Sequence, residues 1–174
     1  KSKVDYNKFE SIGSLSIGIN GEYILDEYPI CTGALILKPE DKDTVVRITK
    51  SFTVHGTLYI MAKTTIDDAV MLTLTGPHEI FINDLPFDAS IARHFKGSQY
   101  FYWRTYAQYY NHDATIVILE KEITLDVKTW YIGMIVESIV DGPLKVNIVG
   151  EVINSDGLYL DIQDNTVTFT GKLS

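Results

Sequence analysis

The sequence is poor in residues that cross-link a chain or bind metals. It has one cysteine, Cys31, in 174 residues, which excludes an intrachain disulfide and a multi-cysteine metal cluster. It contains no Asn-x-Ser/Thr sequon, which disfavours a heavily glycosylated ectodomain. No apolar run approaches the roughly 20 residues of a membrane helix, so we expect no membrane span. The chain begins at Lys1 without an apolar leader, and no targeting signal is visible.

Basic residues are too few for a nucleic-acid-binding protein. Asp and Glu number 23 against 15 Lys and Arg, for a net charge of −8. A phosphate backbone selects for clustered Lys and Arg, so this balance argues against nucleic acid as a partner. The hydrophobic fraction of 45% and the charged fraction of 22% are typical of globular proteins. Because we find no linker and no internal repeat, we predict a single domain over residues 1–174.

Hydrophobic residues alternate with polar ones along much of the chain. The alternating apolar sets include Leu15, Ile17 and Ile19; Leu58, Ile60 and Ala62; Val70, Leu72 and Leu74; Ile123, Leu125 and Val127; Leu144, Val146 and Ile148; and Leu158, Leu160 and Ile162. This period of two is typical of strands with one face in a core and one in water. The abundance of Val, Ile, Thr and Tyr favours the same structure.

Turn residues separate these segments. They include Asn20-Gly21, Gly76-Pro77, Asp141-Gly142-Pro143, Asp156-Gly157 and Asp164-Asn165. Residues 143–170 are typical of a three-stranded meander in which the chain reverses at Asp156-Gly157 and again at Asp164-Asn165. We therefore predict an all-β fold, an antiparallel β-sandwich that resembles a jelly roll.

One segment, residues 88–112, departs from the alternation. Asp88 is a suitable N-cap for a short helix over residues 89–95, which Gly97 would end. The remainder is rich in aromatic residues. We predict an insertion between β-hairpins, and long structured connections are often functional.

The aromatic segment supplies the predicted ligand-binding residues. They are Tyr100, Tyr102, Trp103, Arg104, Tyr106, Tyr109 and His112. Tyr and Trp combine a flat apolar face with a polar edge, which suits stacking on sugar rings or anchoring a protein partner. The alternative is that these aromatics cover one end of the sandwich, because Tyr102, Tyr106 and Tyr109 also fit helical packing intervals.

Signals for metal binding and catalysis are weaker. Asp156, Asp161 and Asp164 are candidate Ca²⁺ ligands near the C-terminal hairpin, although acidic turns also serve solubility. The four histidines form no metal-binding motif. No nucleophile elbow occurs, and Cys31 lies at an apolar stretch that is typical of a buried thiol. We predict no catalytic residue and no cofactor other than this Ca²⁺ candidate.

Residues 123–133 carry a resemblance to a known group. The run Ile-Thr-Leu-Asp-Val-Lys-Thr-Trp-Tyr-Ile-Gly resembles a strand-turn-strand phrase of small β-sandwich accessory modules. Examples are carbohydrate-binding modules and bacterial pre-peptidase C-terminal domains. The resemblance implies a sandwich fold for this chain.

Three functions remain open on the sequence. The first is a non-catalytic binding module for carbohydrate or a cell-surface receptor, within a secreted, surface or viral attachment protein. The second is a structural subunit of a virion, phage tail or surface layer, which buries the aromatic segment in a homo-oligomer. The third is a jelly-roll enzyme or a hydrolase accessory domain. The first two place the protein outside the cell, at its surface or on a virion.

Overall fold

The structure, a computed structural model, describes residues 13–85, 87–104, 114–130, 134–138, 140, 143–152, 158–161 and 166–173. The chain divides into two compact units, Lys1–Ser98 and Gln99–Ser174. This division reports compactness rather than independent folding, so the single-domain organisation stays a prediction. Within the described ranges, no helix has the length and apolar character that crossing a membrane requires.

The first unit contains ten short strands and one helix in its described part. They are β1 (Leu15–Ile19), β2 (Glu22–Leu25), β3 (Ala34–Pro39), β4 (Val45–Ile48), β5 (Phe52–Val54), β6 (Thr57–Ile60), β7 (Lys63–Ile66), β8 (Leu72–Leu74), β9 (Glu79–Ile82), α1 (Ala89–Ala92) and β10 (Phe95–Lys96). The strands form three sheets, of order β1-β3-β6-β9, β2-β4-β7 and β5-β8-β10.

Pairing in all three sheets is parallel. In the first sheet, Leu15 pairs with Leu35, Leu35 with Leu58, and Leu58 with Ile80. These partners lie 20, 23 and 22 residues apart in the chain. A chain that returns to the same sheet after each such interval, with parallel pairing, winds as a β-solenoid.

Stacked apolar residues form the interior of this unit. Leu35, Leu58 and Ile80 occupy one row, and each is fully buried. Burial of such a side chain contributes about 1.5–3 kcal/mol relative to exposure. Successive residues of these strands therefore point alternately into the interior of the coils and toward the solvent, as the sequence pattern predicts.

Glycines allow the coils to stack closely at one corner. A Cβ on Gly56 would strike the carbonyl oxygen of Gly33, and a Cβ on Gly33 would strike that of Gly13. At another corner, Gly21 has a φ of 67° and joins β1 to β2. The Asn20-Gly21 pair is therefore a corner between two sheets and not the turn of a hairpin.

The second unit is also built from stacked parallel strands. Its elements are β11 (Tyr100–Arg104), β12 (Ala114–Ile118), β13 (Glu122–Trp130), β14 (Met134–Ser138), β15 (Lys145–Val152), β16 (Leu158–Asp161), β17 (Thr166–Phe169) and β18 (Lys172–Leu173). One sheet contains β11, β12, β14 and β16, and the other contains β13, β15 and β17, with β18 on β15. Only β11 and β12 pair antiparallel among the described pairs of this unit.

The predicted antiparallel sandwich is therefore wrong, and so is the sandwich that the accessory-module resemblance implies. The fold is all-β with one very short helix, but its strands are mostly parallel and form a β-solenoid. The predicted meander of residues 143–170 illustrates the error, because β15 pairs with β17 in parallel. Alternation and turns occur both in hairpins and in solenoid coils, so neither signal separates them.

The segment 88–112 is only partly as predicted. Asp88 caps α1, since its Oδ1 accepts a hydrogen bond from the Ile91 amide at 3.1 Å. Its bonds to the Ser90 hydroxyl and to the Ile91 amide lower the pKa of this carboxyl. The helix ends at Ala92, and Phe95 already belongs to β10, which pairs with β8. The described part of the segment thus adds strands to the sheets rather than forming a separate insertion.

Candidate functional site

The first part of the aromatic segment forms β11, paired antiparallel with β12. Tyr100 belongs to the core of the second unit, and Tyr102 packs against that core from a half-buried position. Their rings meet edge to face, with centroids 5.7 Å apart. Tyr102 lies in a strand, so the helical packing alternative does not hold for it.

Alternate residues of β11 project to the other side of the strand. Phe101 and Trp103 are fully buried there. Arg104, on the same side of the strand as Tyr100 and Tyr102, is half-buried. Of the four predicted contact residues in this strand, Tyr102 and Arg104 are thus the ones with exposed surface. The ligand-binding role of this segment stays a prediction.

The other sequence candidates are not brought together by the described residues. Tyr106, Tyr109, His112, Asp156 and Asp164 lie outside the described ranges. Asp161 ends β16, where its backbone pairs with that of Glu137. In the part of the chain that is described, no three His, Cys, Asp or Glu side chains converge as metal ligands do. Calcium binding stays a prediction.

An ordered polar surface covers the outer face of the β13-β15-β17 sheet. We call it the polar grid, and it comprises Glu122, Thr124, Asp126, Lys145, Asn147, Thr166 and Thr168. The neighbouring residues Ile123, Leu125, Val146 and Ile148 point into the core. Alternation along each strand therefore places the whole set on one side of the sheet.

Strand pairing aligns the polar grid in rows. Thr124 pairs with Asn147, and Asn147 pairs with Thr168. Adjacent strands lie about 4.8 Å apart, so this row presents two hydroxyls and an amide at regular intervals. Both threonines are exposed and Asn147 is half-buried.

Charge on the polar grid is largely compensated. Lys145 Nζ lies 3.5 Å from Glu122 Oε1, and both side chains are exposed. Asn147 Oδ1 is shielded from solvent and accepts no hydrogen bond from the described residues.

A second cluster lies at a corner of the first unit. We call it the histidine corner, and it comprises Tyr28, His55, Thr75 and His78. The ring of Tyr28 lies 6.1 Å from the rings of both Phe52 and His55, and its hydroxyl donates to the Thr57 carbonyl at 3.0 Å. His78 Nε2 lies 2.9 Å from Thr75 Oγ1.

Burial perturbs the titratable groups of the histidine corner. It lowers the pKa of His78, and the neighbouring His55 lowers it further. Burial also raises the pKa of Tyr28, with the adjacent Cys31 as a second cause, and it raises the pKa of the Cys31 thiol. Tyr28 and Cys31 are therefore uncharged at neutral pH, and a buried, protonated thiol is a poor nucleophile.

No family model, curated protein or solved structure matches this chain. The chemistry of its own surfaces is therefore the basis for a function. Sequence reasoning missed both clusters, because each depends on residues about 20 positions apart becoming neighbours. The glycines 13, 33 and 56, spaced by 20 and 23 residues, were the available signal for that interval.

Proposed function

We propose that this protein is a non-catalytic binding module whose polar grid contacts carbohydrate. The observation that carries the proposal is the row Thr124–Asn147–Thr168, which is ordered by strand pairing and solvent-facing at both threonines. Hydroxyl and amide groups each donate and accept hydrogen bonds. They match the hydroxyl groups of a sugar chain laid across the strands.

The electrostatics of the polar grid favour an uncharged ligand. Because Glu122 and Lys145 form an ion pair, the row that contains them carries little net charge of either sign. The chain as a whole carries −8, which disfavours acidic polymers.

A glycan array tests this proposal. We expect the wild type to bind a neutral glycan and the double variant Thr124→Ala/Thr168→Ala to bind it about tenfold more weakly, since each lost hydrogen bond costs about 0.5–1.5 kcal/mol. Both threonines are exposed, so the variant should retain its far-UV circular dichroism spectrum and unfolding midpoint.

The matched control is Thr65→Ala, on the outer face of β7 in the first unit, where Thr65 is also exposed. This variant should bind like the wild type. The proposal is wrong if the wild type binds no glycan, or if the double variant binds as tightly as the control. Binding to a receptor protein instead of a glycan would assign the same module to the other predicted partner class.

The partial exposure of apolar residues in β1 favours a second candidate function, that of a subunit in a larger assembly. Leu15 and Ile17 occupy inward positions of β1 but remain partly exposed, whereas their partners Leu35 and Leu37 are fully buried. An edge strand with accessible apolar residues is a surface on which another strand can pair.

Sedimentation velocity tests this second function. If β1 docks onto another copy, the wild type should sediment as a dimer or a larger oligomer, and Ile17→Lys should shift it to monomers. A wild-type monomer at high protein concentration, or an oligomer that is unaffected by Ile17→Lys, would count against assembly through β1.

A further inference from the structure

The corner between β1 and β2 carries an Asn-Gly pair in open surroundings. Asn20 and Gly21 are both exposed to solvent. A Cβ placed on Gly21 would meet no heavy atom within 4 Å, so the space beside this residue is free. Asparagine is among the chemically labile residues of proteins, and a following glycine leaves its side chain accessible to the next peptide nitrogen.

Hydrogen bonds between coils fix the backbone on both sides of Asn20. The Glu40 amide donates to the Ile19 carbonyl at 2.7 Å, and the Val45 amide donates to the Gly21 carbonyl at 2.9 Å. Both donors belong to the next coil, at the two ends of its own corner between β3 and β4. The stretch of main chain between the two carbonyls therefore has a length that matches the neighbouring corner.

We propose that Asn20 is a site of spontaneous deamidation, and that its isoaspartate product weakens the attachment of the first coil to the second. The reaction needs only solvent, and it converts an exposed corner of the folded protein. It is independent of the glycan and assembly functions proposed above.

The first step closes a ring at the corner. The Gly21 amide nitrogen gives its proton to hydroxide and forms a bond to Cγ of Asn20. The Cγ–Nδ2 bond breaks, and the departing nitrogen takes a proton from water and leaves as ammonia. The product is a five-membered succinimide that contains the nitrogen of Gly21.

The second step is hydrolysis of the ring by water, with two possible products. Addition of water at Cγ breaks the bond between Cγ and the Gly21 nitrogen and gives aspartate, with the main chain unchanged. Addition at the backbone carbonyl carbon of residue 20 breaks the original peptide bond and gives isoaspartate. The main chain then runs through the side chain and is longer by one atom, the Cβ.

This extra atom lies between the two carbonyls that the second coil binds. A longer path from Ile19 to Gly21 changes the separation or direction of their carbonyl groups, so the bonds from Glu40 and Val45 cannot both keep their geometry. Aspartate adds a charge on an exposed residue but leaves this path intact. The isoaspartate product should therefore destabilise the corner more than aspartate does.

Asn83 provides a control within the same chain. It is half-buried, its amide donates to the Ile60 carbonyl at 2.8 Å, and its Nδ2 lies 3.5 Å from the Met61 carbonyl oxygen. The next residue is Asp84, whose side chain hinders approach to its nitrogen, whereas Gly21 has none. We expect Asn83 to react much more slowly than Asn20.

Tryptic peptides of the aged wild type test the site. Residues 9–42 contain Asn20 as their one side-chain amide, and residues 64–93 contain Asn83 as theirs. After incubation at pH 7.5, mass spectrometry should show the acid form of the first peptide accumulating severalfold faster than that of the second. Isoaspartyl methyltransferase should also label the first peptide, because direct hydrolysis of an asparagine gives aspartate alone.

Urea unfolding of two variants tests the consequence. Aged wild type should unfold at a lower urea concentration than fresh protein, whereas Asn20→Ser, which cannot form the ring, should keep its midpoint on ageing. Asn20 is not among the residues with a positive φ, so serine suits its backbone. Fresh Asn20→Asp carries the charge without the longer main chain and should unfold near the wild-type midpoint.

Equal conversion of the two peptides, or aspartate without isoaspartate in the first, would overturn the assignment of the site. The weakened corner is refuted if ageing leaves the wild-type midpoint unchanged or lowers that of Asn20→Ser equally. It is also refuted if fresh Asn20→Asp loses as much stability as the aged wild type, since charge alone would then explain the loss.

Discussion

Replacement of Gly56 by alanine is expected to lower the free energy of unfolding by about 3 kcal/mol. The added Cβ would strike the carbonyl oxygen of Gly33 and approach that of Cys31 at 3.0 Å. Both are backbone atoms, so relief requires separating two hydrogen-bonded coils rather than moving a side chain. For a chain of this size, such a loss lowers Tm by roughly 10 °C. Urea unfolding followed by circular dichroism measures it.

Two glycines of the same chain serve as matched controls. A Cβ on Gly13 meets nothing within 4 Å, and one on Gly76 meets only the His78 ring at 3.5 Å. Gly13→Ala and Gly76→Ala should therefore unfold near the wild-type midpoint, whereas Gly33→Ala should resemble Gly56→Ala. Equal midpoints for Gly13→Ala and Gly56→Ala would contradict the stacked-corner arrangement.

Replacement of Trp103 by alanine is expected to cost about 3–5 kcal/mol of unfolding free energy. Trp103 is the largest of the fully buried side chains, and its removal leaves a cavity that a paired strand cannot close. The loss is measured by urea unfolding, with circular dichroism as the signal because the variant lacks this tryptophan.

The neighbouring residue provides the control. Tyr102→Ala removes a half-buried ring on the opposite side of β11, and its cost should be clearly smaller. The same two variants also test the predicted contact between the aromatic segment and a sugar. A Trp103→Ala variant that keeps wild-type stability but loses glycan binding would support the predicted role of Trp103 as a ligand contact.

Some of the candidate surface was readable in the sequence. The alternation of Ile123 and Leu125 with Thr124 and Asp126 predicts that the threonine faces water, and it does. What the alternation does not predict is that Thr124 lies beside Asn147, 23 residues away. That contact depends on parallel pairing of β13 with β15.

For the aromatic segment, by contrast, the sequence did not predict which residues are exposed. Its composition suits a binding platform, but the same residues also suit a core. Composition alone does not separate these roles, because exposure depends on what packs against each face of the strand. In the structure, Tyr100 and Trp103 are buried and Tyr102 is half-buried.

By itself, the sequence determined that this chain forms short strands and, for the alternating strands whose side chains the structure describes, which residues face inward. These properties depend on side chains within a few positions, through alternation and turn residues such as Asn20-Gly21. Only the tertiary structure decided which strands are neighbours, and hence that the fold is a solenoid rather than a sandwich. Strand pairing uses backbone N–H and C=O groups that are alike in nearly every residue, so the choice of partner is set by how the whole chain packs.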